Sequence, residues 1–165
     1  MYYSNLFFIF SIIGFFYEKI LALFKNNSKS ALLYGPWIPV YGFAVLIMVF
    51  TNNFLKKINF KNKWQEKLLF FLIVTITMTL LELGAGYLIE WIFGEVFWNY
   101  EHLWFNFGKY IALEVSLVWG IIALFVNYYV IPRIKNYVKK IPSIFTVVLI
   151  VMFIVDFILT IITKI

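Results

Sequence analysis

Five long apolar segments dominate the sequence, near residues 3–24, 35–55, 67–93, 110–131 and 143–163. A helix needs about 20 mostly apolar residues to cross the hydrocarbon core of a bilayer, and each segment meets or approaches that length. Hydrophobic residues make up 64% of the chain and charged residues 13%, whereas a soluble domain has about 25% charged residues. The sequence therefore predicts an all-α, polytopic membrane protein in which residues 1–165 form a single bundle of about five transmembrane helices.

Basic residues predict how this bundle is oriented. An alternating topology places the links after the second and fourth segments on one side, and that side holds Lys56, Lys57, Lys61, Lys63, Lys67, Arg133, Lys135, Lys139 and Lys140. The opposite side holds Lys25, Lys29, Lys109 and Lys164, with Glu95 and Glu101 as balancing acids. By the positive-inside rule we expect a cytoplasmic N-terminus and an outer C-terminus in a bacterial plasma membrane. The net charge of +6 thus reflects topology, and no nucleic-acid partner is expected.

The first segment is expected to remain as a span. It has no basic region before its apolar stretch and no small-residue cleavage site after it, both of which a removable signal peptide would need.

Five carboxylates fall in the outer half of the membrane in this orientation: Glu18, Glu82, Glu90, Glu114 and Asp156. A charge at the centre of a membrane helix costs about 2.5–3.5 kcal/mol on insertion scales, so such residues usually face a bundle interior or a wet cavity. We therefore expect a polar site there, with Glu18, Glu82, Glu90 and Asp156 as candidates to bind a cation, a proton or a polar ligand. Alternatively, the acids only pair with Lys19, tyrosine hydroxyls or backbone groups. Gly84 and Gly86 are expected to let another helix approach the third segment closely.

Helix breakers open the second segment in the stretch LYGPWIPVYG, residues 33–42. Pro36 can occupy the first position of a helix, where its missing N–H costs nothing. Pro39 then requires either that the helix begins there or that it opens with a distorted turn. Because freed backbone groups in lipid need partners, the stretch is either a plain interfacial helix start or one wall of the polar site. The second reading makes site candidates of Tyr34, Gly35, Pro36, Pro39, Tyr41 and Gly42.

An aromatic link, GEVFWNYEHLWFNFGKY, joins the third and fourth segments at residues 94–110. Its tryptophans and tyrosines suit a membrane interface, so it is either an interfacial belt or a lid over the acidic site. The lid reading adds Trp98, Asn106 and Lys109 as candidates. His102 is the one histidine, and the chain has no cysteine, so neither a metal site nor a cofactor is expected.

Several motifs, taken in order, resemble a known family. They are LYGPWIPVYG, ELGAGYLIEWIFG, WNY, FNFGKYIALEVSLVWG and, in the last segment, VDF. Over roughly residues 10–160 the chain resembles the small bacterial membrane proteins described as putative ABC-transporter type IV, and the resemblance implies an association with transport. Family members tend to have Asp in the W-x-Y element and Arg after the F-N-x-G glycine. This chain has Asn99 and Lys109 there, so a carboxylate–guanidinium contact would be altered.

Three functions are compatible with these features. The favoured one is a transporter or a transport-system membrane component in the lipid bilayer, partnered by a separate ATPase subunit or by further copies of itself, since the chain has no G-x-x-x-x-G-K-[ST] loop. The second is an intramembrane enzyme that acts on a lipid or lipid-linked substrate through paired acids, with Ser11 and Ser116 as nucleophile candidates. The third is a non-catalytic assembly or regulatory protein whose acids are structural. A non-enzymatic role is favoured.

Overall fold

The computed structural model describes residues 1–25 and 31–164 and consists of helices joined by short links. The helices are α1 (Tyr2–Lys25), α2 (Pro39–Leu55), α3 (Lys63–Phe93), α4 (Leu113–Lys140) and α5 (Ser143–Lys164). These described ranges contain no β-strand, which confirms the all-α class. α1, α3, α4 and α5 are each long and apolar enough to cross a membrane, whereas α2 is a shorter apolar helix of 17 residues. Lys29 lies outside the described residues.

α2 lies at the centre of the helix packing. It contacts α1 on one side and α3 on the other, and α4 packs against α3. One apolar cluster joins α2, α3 and α4 through Met48, Phe70 and Ala123, all of which are buried. A second cluster joins α1, α2 and the last part of α4. The last part of α4 thus packs against the beginning of α1.

The two ends of the bundle differ in chemistry. One end carries the predicted basic groups around residues 56–67 and 133–140, and we call it the basic end. The other carries residues 31–38 and 94–112, and we call it the aromatic end. The Asn5 side chain donates to the Val138 carbonyl at 3.3 Å, and Lys164 donates to the Leu32 carbonyl at 2.6 Å. The chain therefore begins at the basic end and finishes at the aromatic end, while which end faces the cytoplasm stays a prediction.

α4 is longer than the predicted span, which ended at residue 131. It consists of an α-helix Leu113–Phe125, a π-helical turn Val126–Val130 and an α-helix Ile131–Lys140. Pro132 lacks an N–H, and in a regular α-helix its ring would crowd the carbonyl four residues earlier. The wider π-helical turn that precedes Pro132 accommodates both the missing N–H and the ring. Ile131 and Val138, two turns apart on one face, are buried, which explains why the helix continues past the apolar segment.

Candidate functional site

The stretch before α2 is not helical, and its backbone amides bond to other helices. α2 begins at Pro39, so of the two openings predicted for it the later start is correct, and placing Pro36 at the first helical position was wrong. The amides of Tyr34 and Gly35 donate to the Asp156 carboxylate at 3.1 and 2.9 Å. The Ile38 amide donates to the Ser11 carbonyl of α1 at 3.0 Å. The helix breakers therefore produce a bent, non-helical segment in which the amides of Tyr34 and Gly35 bond to α5 and that of Ile38 bonds to α1.

Asp156 is central to the contact between this segment and α5. Its carboxylate is 7% exposed and also accepts a hydrogen bond from the Trp37 indole at 2.6 Å. Gly35 is needed here because a Cβ at that position would lie 2.5 Å from the Trp37 ring. The exposed Tyr34 hydroxyl is hydrogen-bonded to that of Thr163 at 2.8 Å. Both oxygens of Asp156 thus bond to the chain's own donors, and the residue attaches α5 to the segment before α2.

Gly42 lies one helical turn into α2, at the contact with α1. It is buried, and a Cβ there would overlap the Ser11 hydroxyl and the Phe7 ring. Gly42 therefore serves helix packing. Pro36 is exposed in the bent segment before α2.

Glu90 and Lys109 fix the end of the aromatic link to α3. The Lys109 amine lies 2.5 Å from one oxygen of Glu90, and the Tyr110 hydroxyl donates to the other at 2.7 Å. The hydrogen bond to Glu90 raises the pKa of Lys109, and burial raises the pKa of Tyr110 to about 12, so both groups remain protonated donors at neutral pH. Asn99 bonds to Glu101 at 2.9 Å, so Asn99 and Lys109 have separate carboxylate partners.

The middle of the aromatic link is ordered by Asn106. Its side-chain amide donates to the carbonyls of Glu101 and Leu103 at 3.1 and 2.6 Å. The Phe105 amide donates to Glu114 at the start of α4 at 3.1 Å. Asn106 and Glu114 therefore shape the link itself.

An open cavity of about 900 Å³ lies between α1, α2 and α4, and we call it the groove. Its walls are Phe10–Ala22 of α1 and Val115–Val126 of α4, its back is Tyr41–Met48 of α2, and residues 97–103 of the aromatic link form its roof. Ligand pockets in proteins typically measure about 300–1,000 Å³, so the groove is large enough for a small ligand.

Two carboxylates are associated with the groove through tyrosines. Glu18 lines it and accepts a hydrogen bond from Tyr41 at 2.6 Å. Tyr100 lines the roof and donates at 2.7 Å to Glu82, which is 8% exposed on α3. Burial, and then the nearby Glu82 carboxylate, raise the pKa of Tyr100, which keeps its hydroxyl protonated as a donor. Of the alternative partners considered for the acids, Glu18 thus has a tyrosine hydroxyl, while Lys19 lies over the Phe15 ring at 5.5 Å.

The structure thus separates the predicted site residues into groups. Glu18, Tyr41 and Trp98 line the groove, and Glu82 lies one hydrogen bond away from it. The other candidates belong to two other sets of contacts. Those around the start of α2 involve Tyr34, Gly35, Pro36, Pro39, Gly42 and Asp156 of α5, and those of the aromatic link involve Asn106, Lys109 and Glu90 of α3.

Sequence reasoning missed Tyr100 and Trp119 as groove residues. Tyr100 belongs to the WNY motif, which was a signal, but nothing in the sequence showed that its hydroxyl would bond to Glu82. Trp119 of α4 packs against Tyr41 with ring centroids 5.5 Å apart. The nucleophile candidates lie elsewhere among the described residues: Ser11 contacts the start of α2, and the Ser116 hydroxyl bonds to Thr79 at 2.8 Å.

Comparison with known protein families identifies a match. The sequence model of the family described as "Putative ABC-transporter type IV" matches residues 5–161 of the 165. No curated protein and no solved structure matches the chain.

Proposed function

Because the chain belongs to the putative ABC-transporter type IV family, we propose that it is the membrane component of a transport system and that the groove is its ligand site. The observation that carries the proposal is the groove itself, which combines a carboxylate, Glu18, with a volume of about 900 Å³. A transport protein needs such a site near the membrane interior, and ionisable residues at that depth usually mark substrate pathways.

We further propose that the groove lies in the outer half of a bacterial plasma membrane. Its roof belongs to the aromatic end, whereas the basic end carries the positive charge that the positive-inside rule assigns to the cytoplasm. An ATPase subunit, or a second copy of the chain, is part of the proposal, since no nucleotide-binding loop is present in the sequence.

Copurification tests the transport assignment. A tagged chain isolated from its native membrane is expected to bring an ATPase or an untagged second copy with it. A native preparation that contains neither would contradict the assignment.

Complementation of a deletion strain tests the groove. Glu18→Gln is expected to reduce complementing activity about ten-fold, the effect of losing about 1.4 kcal/mol of binding, while the amount of protein in the membrane stays unchanged. The control is Glu66→Gln, which removes a carboxylate near the basic end of α3. Full activity of both Glu18→Gln and Glu82→Gln would show that the groove acids have only a structural role.

A further inference from the structure

The groove opens sideways between α1 and α4. Near the basic end the last part of α4 packs against α1, and nearer the aromatic end the groove separates the two helices. On the two facing walls, Ile13 is 54% exposed and Val118 is 53% exposed. In a membrane such exposure is to lipid, so a molecule with a hydrocarbon chain can enter from the bilayer without crossing the roof.

The polar part of the groove has the chemistry of an ammonium site. Tyr41 bonds to Glu18 and also contacts two other aromatic rings, those of Tyr17 at 6.1 Å and Trp119 at 5.5 Å between centroids. A carboxylate beside several aromatic faces attracts an ammonium group through its charge and through cation–π interactions. Among the described residues that line the groove there is no lysine or arginine, so a phosphate or sulfate would find no permanently cationic partner there, although His102 lines the roof.

We infer that the groove binds an amphipathic ammonium compound, with its cationic head beside Glu18 and its hydrocarbon chain between α1 and α4. This inference rests on the proposed function of the groove as a ligand site and adds the class of ligand. The remainder of the lining suits the chain, because Phe10, Val45, Met48 and Ile122 are apolar. The ammonium head could come from a membrane phospholipid or from a simple cationic amphiphile, and the absence of a lysine or arginine to bind phosphate favours the latter.

Binding of matched amphiphiles to the full chain in zwitterionic lipid nanodiscs tests the inference. The probes share a dodecyl chain and carry a trimethylammonium, a phosphoethanolamine, a sulfate or a maltoside head, with empty nanodiscs as the blank for calorimetry. We expect saturable binding of dodecyltrimethylammonium at least about ten-fold tighter than binding of the sulfate or the maltoside. Equal or tighter binding of the phosphoethanolamine probe would retain the ammonium chemistry and identify a phospholipid as its source.

Two variants locate the binding. Glu18→Gln removes the charge, and Val118→Trp fills the groove without removing a hydrogen bond, so both are expected to weaken ammonium binding about ten-fold or more. Glu66→Gln is expected to bind like the unmodified chain, and thermal unfolding of each variant checks that it remains folded. If the probes with all four head groups bind equally and Glu18→Gln has no effect, the ammonium assignment is wrong, while the groove remains a ligand site. If no probe binds saturably, the groove is not a ligand site and its role in the proposed function also fails.

Discussion

Two glycines of α3, two residues apart, have opposite surroundings. A Cβ at Gly86 would lie 2.6 Å from the Tyr110 ring, whereas a Cβ at Gly84 would have no atom within 4 Å. Tyr110 is 1% exposed and bonded to Glu90, so its ring has little freedom to move away. The sequence predicted a close approach at both glycines, but the approach occurs at Gly86 alone, and a link residue rather than a helix makes it.

Replacement of the two glycines by alanine should therefore have opposite effects. Gly86→Ala is expected to reduce the free energy of unfolding by about 1–3 kcal/mol because the methyl group overpacks against Tyr110. Gly84→Ala is the matched control, and it is expected to be neutral or stabilising by up to about 1 kcal/mol because alanine favours the helix. Thermal unfolding followed by circular dichroism measures both. Equal midpoints for the two variants would contradict the close contact at Gly86.

The sequence grouped the acidic residues by their depth along the helices but did not identify the individual partner of each. Glu82 and Asp156 were assigned to a common polar site because their depths agree, and depth follows from helix length alone. Their partners come from distant parts of the chain, Tyr100 for Glu82 and residues 34–37 for Asp156. Such pairings depend on how the links fold back, which periodicity does not encode.

At the scale of the elements, α5 depends on polar contacts near its two ends. Near the basic end the Thr146 hydroxyl donates to Asn5 of α1 at 2.6 Å, and near the aromatic end Asp156 accepts from the bent segment before α2. Many of its apolar side chains, including Val151, Ile154 and Ile158, are about half exposed. Because lipid tails are as apolar as these side chains, the polar contacts add specific attachment to the packing of Phe153 against Phe8 and Trp37.

Asp156→Asn should weaken this attachment. The asparagine side chain has one acceptor oxygen and an amino group that would face an N–H donor, and a buried donor left without a partner costs about 1–3 kcal/mol. We expect a lower thermal midpoint for the protein in nanodiscs. Thr163→Ala provides the control on the same helix, since it removes an exposed hydrogen bond to Tyr34 and should change stability by less than about 0.5 kcal/mol. An equal loss in both variants would argue against Asp156 as the main attachment.

The helices themselves were largely predictable, and the deviations have local causes. Each of the five apolar segments forms a helix, because apolar residues in lipid must satisfy their backbone within the helix. α4 extends beyond its apolar segment because Ile131 and Val138 find a packing surface on α1. α2 starts late because Pro39 is the first residue after which a regular ladder can begin.

At the scale of the whole molecule, the basic end is predicted to face the cytoplasm. The cysteine-free sequence allows a direct test with single introduced cysteines. Trp104→Cys lies at a position that is 93% exposed in the aromatic link, and Asn59→Cys lies at an exposed position of the basic end. An impermeant maleimide is expected to label the Trp104→Cys variant in intact cells. The Asn59→Cys variant is expected to be labelled only after the cells are permeabilised. The reverse pattern would invert the topology and place the groove in the inner half.

The attachment of the bent segment before α2 to Asp156 also bears on the bilayer thickness that the protein can accept. α5 has 22 residues and is about 33 Å long, whereas the 17 residues of α2 span about 26 Å, less than a typical hydrocarbon core of about 30 Å. Asp156 lies eight residues before Lys164, so the bonded segment sits about 12 Å below the end of α5. The short helix cannot slide or tilt independently of the long one. Hydrophobic mismatch therefore acts on the bundle as a unit. The stability of the protein is expected to differ between bilayers of different acyl-chain length.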